Sequence, residues 1–126
     1  MKTKSLSNLE QIVMEIIWNN KECSVRELQK QLNKSRKLAY TTVATILQRL
    51  RSKGLVKRFN RGLLYIYTPK FSKEIYSKSL ASSFLQKFIL SFGDVAISSF
   101  AASIDSLPKR KRDYFIKLLE DHEKNK

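Results

Sequence analysis

KSRKLAYTTVATILQRLRSKGLVKRFNR, residues 34–61, is the stretch that decides the fold. Its 28 residues hold nine Lys or Arg and neither Asp nor Glu, and they combine an apolar helical repeat, a glycine stop and the start of a hairpin. A face that is merely soluble normally mixes charges of both signs. An acid-free cationic stretch with this order of elements is typical of a segment that binds nucleic acid.

The repeat predicts a helix over residues 38–53. Its apolar residues fall within a stripe about 100° wide, and Gly54 stands where a left-handed cap ends a helix. The opposite face carries short hydroxyls and an amide bordered by cations, groups that can read base edges and phosphates. We therefore predict DNA contacts from Lys37, Thr41, Thr42, Thr45, Gln48, Arg49 and Lys53. The alternative is that this face is ordinary solvated surface.

Two capping boxes predict two helices before this one. Ser7 with Glu10 opens the first, over residues 8–19, and Ser24 with Glu27 opens a short second one that ends near Asn33. A short helix followed by a turn and a helix with a readable polar face is a helix-turn-helix, whose second helix normally enters the major groove. A basic arm over residues 1–5 precedes them.

After Gly54 the spacing of apolar residues changes from helical to alternating. Residues 55–59 and 63–68 predict two strands joined by a tight turn at Asn60, Arg61 and Gly62. A basic hairpin directly after a recognition helix is a wing, with Arg58 and Arg61 near its tip for phosphate or a narrow minor groove. For Tyr65 and Tyr67 we favour cross-strand packing over contact with nucleic acid.

The remainder of the chain predicts three amphipathic helices, divided at Gly93 and opened again by Pro108. They carry more apolar surface than a segment of about 55 residues can bury, so we predict a homodimer. The residues assigned to that interface are Tyr76, Leu80, Phe84, Leu85, Phe88, Ile89, Phe92, Phe100, Phe115, Leu118 and Leu119. The charge run at residues 109–112 is either a second DNA patch or a solvated helix start.

The predicted fold is mainly α with a small β hairpin: a winged helix-turn-helix domain over residues 1–70 for DNA binding and a helical dimerisation domain over residues 71–126. Charge follows the same division. Of a net charge of +14, residues 1–70 carry 15 basic and 4 acidic side chains. This asymmetry fits nucleic acid, or less well an anionic membrane.

The sequence lacks the residue patterns that disulfide-bonded proteins, metal sites and enzymes need. Cys23 is the single cysteine and His122 the single histidine, so neither a disulfide within the chain nor a metal site is expected. The acidic residues are scattered and there is no glycine-rich phosphate loop, so we predict neither enzymatic activity nor a cofactor. The N-terminus has no signal-peptide core, which predicts a cytoplasmic protein.

With these elements placed, the chain resembles the penicillinase repressor family, the BlaI/MecI type that also includes copper-responsive CopY-type repressors. The resemblance covers residues 6–70 best. It rests on SVREL at residues 24–28, LAYTTVATIL at residues 38–47, KGLV at residues 53–56 and YIYTP at residues 65–69.

The resemblance implies a dimeric winged-helix repressor on inverted-repeat operators near resistance or transporter genes. It adds Tyr40 to the predicted DNA contacts. Relatives are inactivated when a membrane-bound sensor protease signals cleavage at an Asn-Phe bond, for which the nearest match is Ser99 and Phe100. The missing Asn puts that route in doubt, and the absence of paired cysteines argues against copper sensing.

Three functions are therefore distinguished. The leading hypothesis is a sequence-specific, dimeric transcriptional repressor on double-stranded DNA. A nonspecific architectural or RNA-binding protein would bind operator and random duplex alike. A winged-helix protein-interaction module would not bind DNA at physiological salt.

Overall fold

The computed structural model describes residues 5–125, and residues 1–4 of the predicted basic arm lie outside them. Its elements confirm the predicted fold class of helices with a small antiparallel sheet. In chain order they are α1 (Asn8–Asn20), β1 (Cys23–Ser24), α2 (Val25–Leu32), α3 (Tyr40–Ser52), β2 (Val56–Arg61), β3 (Leu64–Pro69), α4 (Lys73–Phe92), α5 (Asp94–Ile104) and α6 (Lys109–Lys124).

The capping boxes set the starts of the first two helices. In each, the serine hydroxyl accepts from the backbone N–H three residues later and the glutamate accepts from the serine N–H, for Ser7 with Glu10 and for Ser24 with Glu27. Gly54 follows α3 with φ of 79°, the left-handed conformation expected after a helix. Predicted and observed helices therefore agree to within two residues at these ends.

Contacts divide the chain into two units, Met1–Ala81 and Ser82–Lys126. The N-terminal unit has one hydrophobic core, to which α1, α2, α3 and the sheet contribute. Val13, Met14, Leu28 and Leu47 are completely buried in it. Tyr76, from the first turns of α4, also lies in this core, and its ring is 5.9 Å from that of Trp18.

The sheet differs from the prediction in two respects. A short strand, β1, pairs antiparallel with β3, giving the order β1-β3-β2. The hairpin turn lies at Gly62 and Leu63 rather than at residues 60–62, and Asn60 and Arg61 belong to β2, where Arg61 pairs with Leu64. Gly62 has φ of 64°, so the positive φ falls at the first of two central turn residues, where a type II′ turn has glycine.

The C-terminal unit has three helical pieces and little burial. Within residues 82–125, Ala96 is the one buried residue. Aromatic rings lie close together along α4, where the ring centroid of Phe88 is 5.8 Å from that of Phe84 and 5.5 Å from that of Phe92. Between α5 and α6, the ring centroids of Phe100 and Phe115 are 6.2 Å apart. Through the described residues, no helix is both long and apolar enough to cross a membrane.

The predicted dimerisation residues are consequently placed in different surroundings. Tyr76 is buried in the core of the N-terminal unit, and Leu80 packs partly against that core. Phe88 and Phe115 are half-buried. The others are exposed: Phe84, Leu85, Ile89, Phe92, Phe100, Leu118 and Leu119. Ser99 and Phe100 lie within α5.

Candidate nucleic-acid interface

Helix α3 divides into a buried and an exposed face, as its apolar repeat predicts. Val43, Ile46, Leu47 and Leu50 are buried. The predicted reading residues are all exposed on the other face: Tyr40, Thr41, Thr42, Thr45, Gln48 and Arg49. The Thr45 hydroxyl donates to the Thr41 carbonyl at 2.8 Å, which turns the hydroxyl back onto the helix. The structure thus brings these six residues together on one polar surface, called the α3 face below.

The backbone just before α3 is held by two amide side chains, one from α2 and one from the residue that follows α2. The Leu38 N–H donates to Asn33 Oδ1 at 3.0 Å, and Gln29 Nε2 donates to the Leu38 carbonyl at 3.0 Å. The backbone N–H and the carbonyl of Leu38 are therefore both hydrogen-bonded just before the helix begins. Neither amide was predicted as functional, because Gln and Asn on a helix surface are ordinary solvated residues in a sequence.

The first turn of α3 keeps free donors. Ala39 occupies the N-cap position and makes no side-chain cap bond, and no acidic residue stands in the first turn. Unpaired N–H groups and the helix dipole favour an anion at such an end. Lys37 is exposed in the preceding loop, and the Arg26 guanidinium lies 4.9 Å from the Tyr40 ring centroid. Cationic and aromatic groups thus border the start of the α3 face.

Lys53 lies just after α3 and is engaged within the chain. Its Nζ is 2.7 Å from Glu10 Oε1, and that same oxygen accepts from the Ser7 N–H at 2.9 Å. Burial acts to raise the pKa of Glu10, but the hydrogen bonds from Lys53 and Ser7 outweigh it and the pKa lies below its ordinary value. Lys53 therefore ties the end of α3 to the start of α1.

The two predicted wing arginines also have partners in the chain. Arg61 forms a bidentate pair with Glu22, at 2.8 Å from Nη1 to Oε1 and 3.1 Å from Nη2 to Oε2. This hydrogen-bonded pair lowers the pKa of Glu22 and raises that of Arg61. Arg58 lies 4.0 Å from the centroid of the Tyr65 ring. Tyr67 is buried, as the packing interpretation predicts, whereas Tyr65 is half exposed under Arg58.

Cys23 is not a reactive site. It is buried, and burial with the nearby Glu27 charge raises the pKa of its thiol to about 11. The nucleophilic thiolate is therefore scarce at neutral pH.

Comparisons with known proteins match most of the chain and the fold of its N-terminal part. The family model described as penicillinase repressor matches residues 6–121. The penicillinase repressor of Bacillus licheniformis is 27% identical over 125 residues, which cover 99% of this chain and 97% of the relative. The transcriptional regulator BlaI of Mycobacterium tuberculosis is 38% identical over 74 residues, covering 58% of this chain and 54% of the relative.

A solved structure extends the likeness to three dimensions. The solution structure of monomeric B. licheniformis BlaI in complex with the blaP half-operator superposes with a TM-score of 0.51 at 31% identity, covering 60% of this chain and 92% of that one. Because the family model spans nearly the whole chain, the protein belongs to the penicillinase repressor family.

Proposed function

We propose that the chain is a sequence-specific DNA-binding transcriptional repressor that acts in the cytoplasm as a homodimer on an inverted-repeat operator. Residues 1–70 form its DNA-binding domain and residues 71–126 its dimerisation domain; it has no catalytic role. The observation that carries the proposal is the α3 face, a polar surface on a rigid helix within a segment that lacks Asp and Glu from residue 28 to residue 73.

Helix α3 enters the major groove in this proposal. Thr41, Thr45 and Gln48 contact base edges, since threonine methyls fit the thymine methyl and Gln pairs with adenine. Arg49 reaches guanine or phosphate. The N–H groups of the first turn of α3 and the nearby Lys37 bind the phosphates of the DNA backbone. The relative whose structure was solved on a half-operator shares 31% identity over the matched region, which supports the same use of this surface.

Dimerisation follows from the C-terminal unit. A unit of this size that buries Ala96 alone among residues 82–125 has too little core to be stable by itself. Pairing with a second copy covers the exposed apolar residues, and two-fold symmetry presents two α3 faces to two half-sites one or two helical turns apart. A dimer seated on a promoter excludes RNA polymerase.

The test is fluorescence anisotropy of the purified chain on its own upstream promoter DNA and on a shuffled duplex, at about 150 mM salt where nonspecific complexes are weak. We expect a preference of about a hundredfold or more, with two protomers per site. Equal binding to both duplexes would favour a nonspecific coating protein. Absence of binding to either would favour a protein-interaction module.

Arg49→Ala tests the reading surface itself. We expect operator binding to weaken by about 1 to 3 kcal/mol if the guanidinium contacts a base in two places. Unchanged affinity and unchanged salt dependence would remove Arg49 from the site. Arg51→Ala, on the same helix, is the matched control because it lies outside the proposed contacts.

A further inference from the structure

Strand β2 is the outer strand of the sheet, and among the described strands it pairs with β3 alone. The Lys70 N–H donates to the Leu55 carbonyl at 2.9 Å, one position beyond the ladder of β2 with β3 and in the same register. Hydrogen-bonded and non-hydrogen-bonded pairs alternate along an antiparallel ladder. The backbone N–H and carbonyl groups of Arg58 and Asn60 therefore point away from β3, toward the edge of the sheet.

The side chains along this edge are cationic. The three ion pairs within residues 5–125 use neither Lys57 nor Arg58. Arg61, at the end of the same strand, holds the carboxylate of Glu22 in a bidentate pair. Strand β2 thus already binds one carboxylate of its own chain and has two further cations without an acidic partner in the described residues. Like charges oppose strand pairing, so a second copy of β2 does not suit this edge.

An apolar strip lies on one face of the sheet beside these cations. Phe59 pairs with Ile66, which is buried although it lies outside the core of the N-terminal unit. Phe59 is 41% exposed and Leu64 is 55% exposed. Successive side chains point to opposite faces of a strand, so Lys57 and Phe59 share this face and Arg58 lies on the other. A strand added to this edge would meet two cations and an aromatic ring at three consecutive positions.

We propose that the edge of β2 binds an extended acidic peptide of a partner protein, which adds to the sheet as an antiparallel fourth strand. Main-chain hydrogen bonds to Arg58 and Asn60 supply affinity. Carboxylates opposite Lys57 and Arg58 and an apolar side chain opposite Phe59 supply specificity. The backbone edge does not suit duplex DNA, because phosphate oxygens only accept hydrogen bonds whereas an edge strand presents carbonyls as well as N–H groups. This site lies beyond the proposed function and is independent of the α3 face.

The test is fluorescence anisotropy of the full chain with fluorescein-labelled peptides, long enough to span the six residues of β2. The acidic probe has valine, aspartate and glutamate in that order at its centre and threonines elsewhere. In the amide probe, asparagine and glutamine replace the two acids. We expect the acidic probe to bind about tenfold more tightly than the amide probe. Equal binding of the two probes would overturn the proposal.

N-methylation of the acidic probe separates strand addition from a purely ionic contact. A methyl group on the aspartate nitrogen removes a hydrogen bond to Arg58, and we expect binding to weaken by about tenfold. A methyl group on the valine nitrogen is expected to have little effect, because that nitrogen points to solvent in the added strand. Equal effects of the two methyl groups would overturn the proposal, because the cations alone would then hold the peptide.

Asn60→Pro tests the edge on the protein itself. It removes an N–H that points away from β3, and proline is tolerated on an edge strand whose N–H faces solvent. We expect urea unfolding to stay close to the wild type while binding of the acidic probe weakens by about tenfold. Asn60→Thr keeps the N–H and is the matched control. Wild-type peptide binding by Asn60→Pro would overturn the proposal. All these titrations are made without DNA, so failure of the proposed function leaves their outcome unchanged.

Discussion

In the N-terminal unit three helices and a sheet share one core, whereas in the C-terminal unit the apolar side chains of three helical pieces face outward. Leu47 on α3 is completely buried, and Leu90 on α4 is 88% exposed. The first unit has the interior of an independent domain, and the second has the surface of half an assembly. The exposed apolar surface of the second unit is what the proposed dimer would cover.

The largest expected effect tests whether the buried core of the N-terminal unit determines its stability. Leu47→Ala removes a fully buried side chain and is expected to cost about 3 to 4 kcal/mol of unfolding free energy. Leu90→Ala, the matched exposed leucine, is expected to change it by less than about 0.5 kcal/mol. Urea unfolding of dilute protein, followed by fluorescence of Trp18 in the N-terminal unit, measures both. Similar losses for the two variants would contradict the contrast.

The next effect concerns association. Phe92→Asp places a charge on the exposed apolar surface of α4 and is expected to weaken the dimer by about 2 kcal/mol, roughly thirtyfold in dissociation constant. Sedimentation velocity over a dilution series measures this change, with Gln86→Asp on the same helix as the control. If Phe92→Asp dimerises like the wild type, Phe92 does not belong to the interface. The Trp18 unfolding signal is expected to stay unchanged at low concentration.

The ion pair of Lys53 with Glu10 in the N-terminal unit is partly buried, and its contribution to stability depends on pH. Because the pKa of Glu10 is lower in the folded state than its ordinary value of 4.5, its contribution is fully present above that value and is lost as the pH falls through the folded-state pKa. Glu10→Gln is expected to cost about 2 kcal/mol at neutral pH, because Lys53 loses its charged partner in a partly buried site.

The measurement is urea unfolding of the wild type and Glu10→Gln at neutral pH and well below pH 4.5. The gap between the two proteins is expected to shrink on acidification. Glu15→Gln is the matched control, since its pair with Lys73 at 3.0 Å is at the surface and such pairs contribute little. A gap that is constant with pH would show that the carboxylate charge is not what stabilises this site.

Helix α3 was predictable from local pattern, whereas the long-range contacts that hold it and the wing were not. The apolar repeat, Gly54 and the two capping boxes are contacts within a few residues, and they gave α1, α2 and α3 to within two residues at the ends described. The pair of Lys53 with Glu10 joins positions 43 residues apart, and that of Arg61 with Glu22 joins positions 39 apart. No local pattern indicates which distant acid a lysine or arginine meets.

The sheet shows the same limit. The two-residue strand β1 is too short to have an alternating pattern, and it exists because Cys23 and Ser24 pair with β3. The turn was predicted to begin two residues early, at Asn60, because Asn60, Arg61 and Gly62 all suit turns, while the ladder pairs Arg61 with Leu64. Strand register follows from how the whole sheet packs, which is why Leu63 emerged as the wing tip only in three dimensions.

The amide clamp on α3 predicts a smaller effect that is confined to DNA reading. Gln29→Met removes the donor to the Leu38 carbonyl while keeping the shape of the side chain, and we expect a loss of about 1 kcal/mol in operator affinity. The ratio of operator to shuffled binding is expected to fall with it, because α3 starts less firmly. Gln31→Met, exposed on the same helix, is the control in the anisotropy assay. A loss that is equal on both duplexes would assign Gln29 to general stability.

The smallest expected effect has the opposite sign. In the proposed DNA complex Glu22 competes with a phosphate for the Arg61 guanidinium, so Glu22→Gln frees a cation and removes the acid that pairs with the wing. We expect DNA to bind about twofold to fivefold more tightly, because an exposed ion pair opposes a phosphate contact only weakly. The slope of log affinity against log salt is expected to steepen by about 0.9.

Anisotropy titrations at several salt concentrations measure both quantities, and the Glu22→Gln, Arg61→Gln double variant controls for the freed charge. Its salt slope is expected to return to the wild-type value, because the added phosphate contact then has no donor. Weaker binding of Glu22→Gln with an unchanged slope would show that the Arg61 charge never reaches phosphate and that the pair only fixes the wing. In that case the electrostatic share of wing binding falls to Lys57 and Arg58.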